Sequence, residues 1–280
     1  MRTGKLIVLS TALLTAIALM PAHSQAQQQA QQQAQPILPA PDESTLWTIG
    51  TAWTPDKSAV LYYEYHFAEN PDLQLSTRVQ YRRADGSVFA EKTIDYSRSL
   101  TAPDIEHIDY RNTARISTEM TDDTRAAMIR VGFQAHDSPR YREELLAHRD
   151  SVVVDAGFDP FVRKNWESLI TGESVTAGML VPSRLDTVRV SLTKTDASDC
   201  DQAEANVYCF VIRPAGMLRA VGWLVDPIYI GYEQQSKQLK VFDGISNLRD
   251  DNGDPQNVVI TFEYFENHQT ASISSGFQER

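Results

Sequence analysis

The chain has 280 residues, of which 42% are apolar and 22% charged, with 13 Gly, 13 Pro and two Cys. That composition excludes collagen-like, disulfide-dense and wholly disordered chains, and it suffices to bury a sizeable core without metal staples. The formal net charge of −11 argues against nucleic acid or an anionic membrane surface as a partner held by bulk electrostatics.

Residues 1–26 read as a cleaved secretory signal. Arg2 and Lys5 supply a positive n-region, Leu6 to Met20 an apolar run too short to span a bilayer, and Ala22-His23-Ser24 or Ser24-Gln25-Ala26 a small-x-small cleavage site. The leader carries no acid, so its removal makes the chain more acidic still. No later apolar run approaches the ~18 residues of a membrane helix. The expectation is a periplasmic or secreted protein, soluble after cleavage. Residues 27–42, rich in Gln and Ala and then in Pro36, Pro39 and Pro41, offer no apolar stripe to bury and read as a disordered spacer.

Residues 43–268 form one β-rich domain in this reading, followed by a flexible tail at 269–280. In Ala59 to Phe67 the positions Ala59, Leu61, Tyr63, Tyr65 and Phe67 alternate with Glu64 and His66, the period of two of a half-buried strand. The same alternation marks Leu75 to Arg82, Ile129 to Gln134, Val188 to Thr193 and Val258 to Tyr264, while Asp85-Gly86 and Asn252-Gly253 supply tight turns. The segment 140–149 fits strand or helix, with strand preferred. The spacings predict a single large curved antiparallel sheet, a half-barrel-like meander. One helix at about 159–171 breaks the pattern: Asp159 caps it, Pro160 takes its first position, Val162, Trp166 and Leu169 make its stripe, and Gly172 ends it. Its stripe belongs on the concave face of the sheet.

Around that helix lie the two candidate sites. Phe158, Phe161, Trp166 and Trp223, with Tyr63 and Tyr65, either line an apolar cavity for a lipid or another apolar ligand or fill the core. Asp155, Asp159, Glu167 and Glu173 are the carboxylates that hydrolysis would need, with a cap or a solvated surface as the alternative for each. Cys200 and Cys209, the only cysteines of an exported chain, are expected to pair within the monomer near the end of a long hairpin.

The stretch Asp155-Ala-Gly-Phe-Asp159-Pro-Phe161-Val-Arg163-Lys-Asn-Trp166-Glu-Ser-Leu169, with Gly172-Glu173 and Val181-Pro-Ser-Arg184-Leu, resembles a family of uncharacterised exported bacterial proteins. Val225-Asp-Pro-Ile228, Tyr232 and Asp243-Gly-Ile-Ser-Asn247-Leu-Arg-Asp250 resemble the same family's second signature. The helix-in-curved-sheet layout is also similar to lipoprotein carriers of the LolA/LolB kind, which implies a hydrophobic concavity for acyl chains.

Other chemistry finds little footing. Asp250 to Asp254 lacks the EF-hand spacing and reads as a hairpin turn, and Gly244 to Leu248 is half of a nucleophile elbow around Ser246. His66, His107, His136, His148 and His268 show no metal-ligand grouping, and no phosphate-binding loop occurs, so neither metal nor nucleotide cofactor is expected. The reading favours a non-catalytic binding or carrier protein for an apolar or amphipathic envelope ligand. An envelope hydrolase and a structural or assembly partner are the alternatives, and the oligomeric state is left open.

Overall fold

The computed structural model describes residues 45–123, 126–200, 206–216 and 226–265. The leader, the spacer, the C-terminal tail and Trp223 lie outside the described residues.

The described residues are mainly β, with fifteen strands in one sheet. The first run comprises β1 (Leu46–Trp53), β2 (Val60–Phe67), β3 (Arg78–Arg82), β4 (Val88–Asp95), β5 (Asp104–Asp109), β6 (Arg115–Asp123), β7 (Ala126–Gln134) and β8 (Tyr141–Ala147). The second comprises β9 (Val152–Val153), β10 (Val175–Val181), β11 (Asp186–Thr195), β12 (Val207–Pro214), β13 (Ile228–Glu233), β14 (Leu239–Arg249) and β15 (Pro255–Tyr264). β1–β8 and β10–β15 are each antiparallel meanders, and β1 pairs antiparallel with β15 to join them, leaving β8 and β9 at the two ends of the order.

That order dictates strong curvature. Fifteen strands at ~4.8 Å spacing would spread β8 and β9 about 67 Å apart in a flat sheet. Only residues 148–151 join them, a link that spans less than ~20 Å when fully extended. The sheet therefore rolls until its ends meet. Val152, Val154 and Leu180 from one end pack in the same core as Met120, Ile129 and Val131 from the other. The Arg142 guanidinium donates to the Ser183 carbonyl at 2.9 Å across that seam.

The helix expected at 159–171 is two short ones, α1 (Phe158–Lys164) and α2 (Trp166–Ile170), broken at Asn165. Asn165 turns its side chain back on the Phe161 carbonyl at 2.8 Å, offering the backbone an alternative to continuing the helix. Asp159 lies inside α1 and does not cap it; the residue before α1 is Gly157, and Asp159 pairs instead with Arg163 one turn on. Gly172, at φ +90, ends α2 as the pattern requires. Val162, Trp166 and Leu169 bury against Leu192, Phe210, Ile230 and Tyr232, so α1 and α2 cover the inner face of the second run.

Two further points differ from the sequence reading. β9 pairs with β10 in parallel, because the chain reaches β10 through α1 and α2 and not through a hairpin. In β2 the inner face carries Tyr62, Glu64 and His66, while Tyr63 and Tyr65 point outward. Alternation fixes the period of a strand but not which face is inside. Segment 140–149 is strand β8. No helix among the described residues is long and apolar enough to cross a membrane.

Candidate functional site

The inner face of the first run is unusual for a core because it carries charge. Register alignment places Lys92 of β4 opposite His107 of β5, Ala90 opposite Asp109, His107 opposite Ile116 of β6, and Ile116 opposite Phe133 of β7. Glu64, Lys92, His107 and Asp109 are all buried on this face. Each buried charge needs a partner, since an isolated one costs several kcal/mol.

Most find one. Lys92 Nζ donates to both carboxylate oxygens of Asp155 at 2.7 and 2.9 Å, and Asn247 Nδ2 donates to Asp155 Oδ2 at 2.9 Å. Burial alone would lower the Lys92 pKa, but the Asp155 carboxylate overrides it and the ammonium is held well above its ordinary value. Asp155 has a positive φ of +38, uncommon for a residue with a side chain. Asp109 takes a bidentate pair from Arg111 at 3.0 and 2.7 Å, and Arg111 continues to Asp251 at 2.8 Å.

His107 is the exception. It is 4% exposed, its Nδ1 has no hydrogen-bond partner among the described residues, and its ring lies 5.4 Å from that of Tyr81. Burial, with the Lys92 ammonium nearby, pushes its pKa down to about 4, so the imidazole is neutral at ordinary pH.

His107 lies on the floor of a cavity of about 360 Å³. Asp109 and Leu248 complete the buried floor, while Ile116 and Phe133 form apolar walls. Arg115, His136, Asn247, Arg249, Asn252 and Gly253 lie around them, bringing the β14–β15 turn against the ends of β5, β6 and β7. The volume is at the lower end of what small-molecule sites occupy. Apolar surface predominates although eight polar or charged side chains contribute to the lining, a mixture that suits an amphipathic ligand.

The aromatic residues expected to bind ligand are placed elsewhere. Phe161 and Trp166 are buried between α1–α2 and the sheet, with Phe158 packed beside them. Trp166 meets Tyr208, Phe210 and Tyr232 at centroid distances of 5.9, 5.9 and 6.0 Å. Tyr63 and Tyr65 pack on a separate outer cluster of Leu46, Ile49 and Phe67. None of these five lines the cavity. Of the four carboxylates, Asp155 pairs with Lys92 and Asp159 with Arg163, while Glu167 and Glu173 are exposed. The Cys200–Cys209 disulfide forms, with Cα atoms 5.8 Å apart. It lies on the sheet face opposite α1–α2, beside Val241 and Val259. Ser246 Oγ contacts the Tyr62 hydroxyl at 2.9 Å and accepts from the Leu248 N–H at 3.0 Å, within the part of β14 where the register against β15 shifts.

The sequence reading missed His107, Asp109 and Asn247 as a group. One signal was available: Ile105, His107 and Asp109 share one face of β5 with the buried Ile94 and Ala90 of β4 opposite, so two polar residues occupy core positions. No metal-holding cluster of His, Cys, Asp and Glu occurs among the described residues.

No protein-family model matches the chain, and no curated protein does. Among solved structures, the chain is similar to a crystal structure from Brucella abortus described as a beta-barrel-like protein of a domain of unknown function, DUF1849. The identity is 10% and the TM-score 0.41, over 79% of this chain and 99% of that one.

Proposed function

We propose that the chain is a non-catalytic, exported binding protein that holds a small amphipathic ligand in the His107 cavity. The observation that carries this reading is a cavity in which apolar walls, Ile116 and Phe133, meet the buried polar residues His107 and Asp109. A buried polar atom left unpaired costs about 1–3 kcal/mol, which sets this face apart from an ordinary apolar core. Export is supported by the signal-like leader and by the disulfide, which suits an oxidising compartment. The aromatic set around Trp166 enters this reading as core that shapes the fold.

Native mass spectrometry of protein purified from its own cell envelope tests the proposal. The expected spectrum shows a small-molecule adduct on wild-type protein that is absent from Ala135→Trp, which fills the cavity from an exposed position. The same adduct on both proteins, or none on wild type, would count against the reading.

A further inference from the structure

The two ends of the sheet are protected unequally. β9, at one end of the strand order, is two residues long, and a very short edge strand is one way to avoid pairing with another chain. β8, at the other end, has seven residues, pairs with β7 without a break in register, and contains neither Pro nor Lys. We propose that the outer edge of β8 is a self-association surface, to which a second copy of this chain adds its own β8 antiparallel, giving a reversible two-fold dimer.

The backbone of that edge is available. Just past β8 the His148 N–H donates to the Ala127 carbonyl of β7 at 3.0 Å. Alternation along the strand then turns the backbone groups of Arg142, Glu144 and Leu146 towards β7 and those of Tyr141, Glu143 and Leu145 away from it. Among the described residues no backbone group pairs with these last three, and the Leu145 N–H reaches only the Glu144 carboxylate, at 3.3 Å. The rolled sheet closes at this seam through side chains, with Arg142 on the Ser183 carbonyl and Leu180 in the shared core, so the ladder itself stays open. Glu143 and Glu144 are consecutive, hence on opposite faces, and both are exposed. Tyr141 and Leu145 are among the exposed large apolar side chains, at 39% and 49%.

A second copy fits because β8 carries both halves of a complementary pattern. With the two-fold axis at Glu143, Arg142 of each copy falls opposite Glu144 of the other, and Tyr141 opposite Leu145. Each pair occurs twice, and the odd-numbered residues exchange about six backbone hydrogen bonds. Moving the axis to Glu144 would set Arg142 against Leu146 and Glu143 against Leu145, losing both matches. The favoured register has one cost: Glu143 faces its own copy, a like-charge pair. An interface of one strand per copy falls in the small, transient class, so the dimer forms and dissociates with concentration.

Sedimentation velocity of the exported chain over a roughly hundredfold concentration range reads the association directly. Wild type should pass from monomer to dimer. Glu144→Arg, which opposes arginine to Arg142 twice, should weaken dimerisation about tenfold, and adding Arg142→Glu to it should restore the wild-type constant. Glu143→Gln should tighten it severalfold. Amide hydrogen exchange of the wild-type chain tests the register without any substitution: exchange at Tyr141, Glu143 and Leu145 should slow as concentration rises, while Arg142, Glu144 and Leu146 are protected throughout. A chain that stays monomeric across the range, a dimer indifferent to Glu144→Arg, or exchange at Tyr141, Glu143 and Leu145 that ignores concentration would overturn the proposal. None of these results bears on whether the cavity binds a ligand.

Discussion

His107 shows how one buried side chain links fold, stability and site. An unfolded histidine takes up a proton below about pH 6.5, whereas this one does so only below about 4 because burial and Lys92 oppose the charge. Between those values the unfolded state holds more protons, so stability is full above pH 6.5 and is lost as pH falls towards 4. Two and a half pKa units correspond to about 3 kcal/mol. Urea denaturation at pH 7 and pH 4.5 should show wild type losing about 2–3 kcal/mol more than His107→Phe over that interval; equal losses would contradict the assignment. This residue was visible in the sequence only as one of several ungrouped histidines. Its significance depends on Lys92, Tyr81 and Asp155, which are brought to it by strand register and by the chain's return after β8, and a linear pattern carries neither.

At the scale of the element, local chemistry was the most legible part. Residues 187–195 alternate with period two, residues 207–212 form a continuous apolar run, and the two do form paired strands, with Thr195 opposite Cys209, so the disulfide follows from two cysteines flanking one hairpin end. Closing so short a loop should contribute about 2–3 kcal/mol, and replacing both cysteines by serine should lower the urea midpoint accordingly while leaving ligand binding intact, since the bond lies on the face opposite α1–α2. No free thiol should titrate in the folded wild-type chain. The helix was legible from Pro160, its apolar stripe and Gly172, but the break at Asn165 was not, because it depends on one side chain choosing the backbone of its own helix. Gly157 was likewise opaque: a Cβ there would lie 2.1 Å from the Thr101 carbonyl oxygen, a contact between segments 56 residues apart that only the rolled sheet creates.

For the whole molecule, the β class and the curvature follow from the strand patterns, while the roll follows from the connection between β8 and β9. Four linking residues force the ends of a fifteen-stranded sheet together, and with them come two packing zones of different chemistry. The second run is filled by α1 and α2, whereas the first keeps a charged inner face and a cavity at its end. Sequence reasoning sought the ligand beside the helix because the aromatics concentrate there. Aromatic side chains at core spacing satisfy themselves by packing, and the space left over lies where polar residues prevent close packing. Backbone NMR of the isotopically labelled protein, titrated with a small-molecule extract of its own envelope, separates these two locations most directly. The expected perturbations centre on Ala114, Ile116, Phe133, Ala135 and Leu248 and leave Phe158, Phe161 and Trp166 unmoved; shifts centred on the helix, or none at all, would contradict the account.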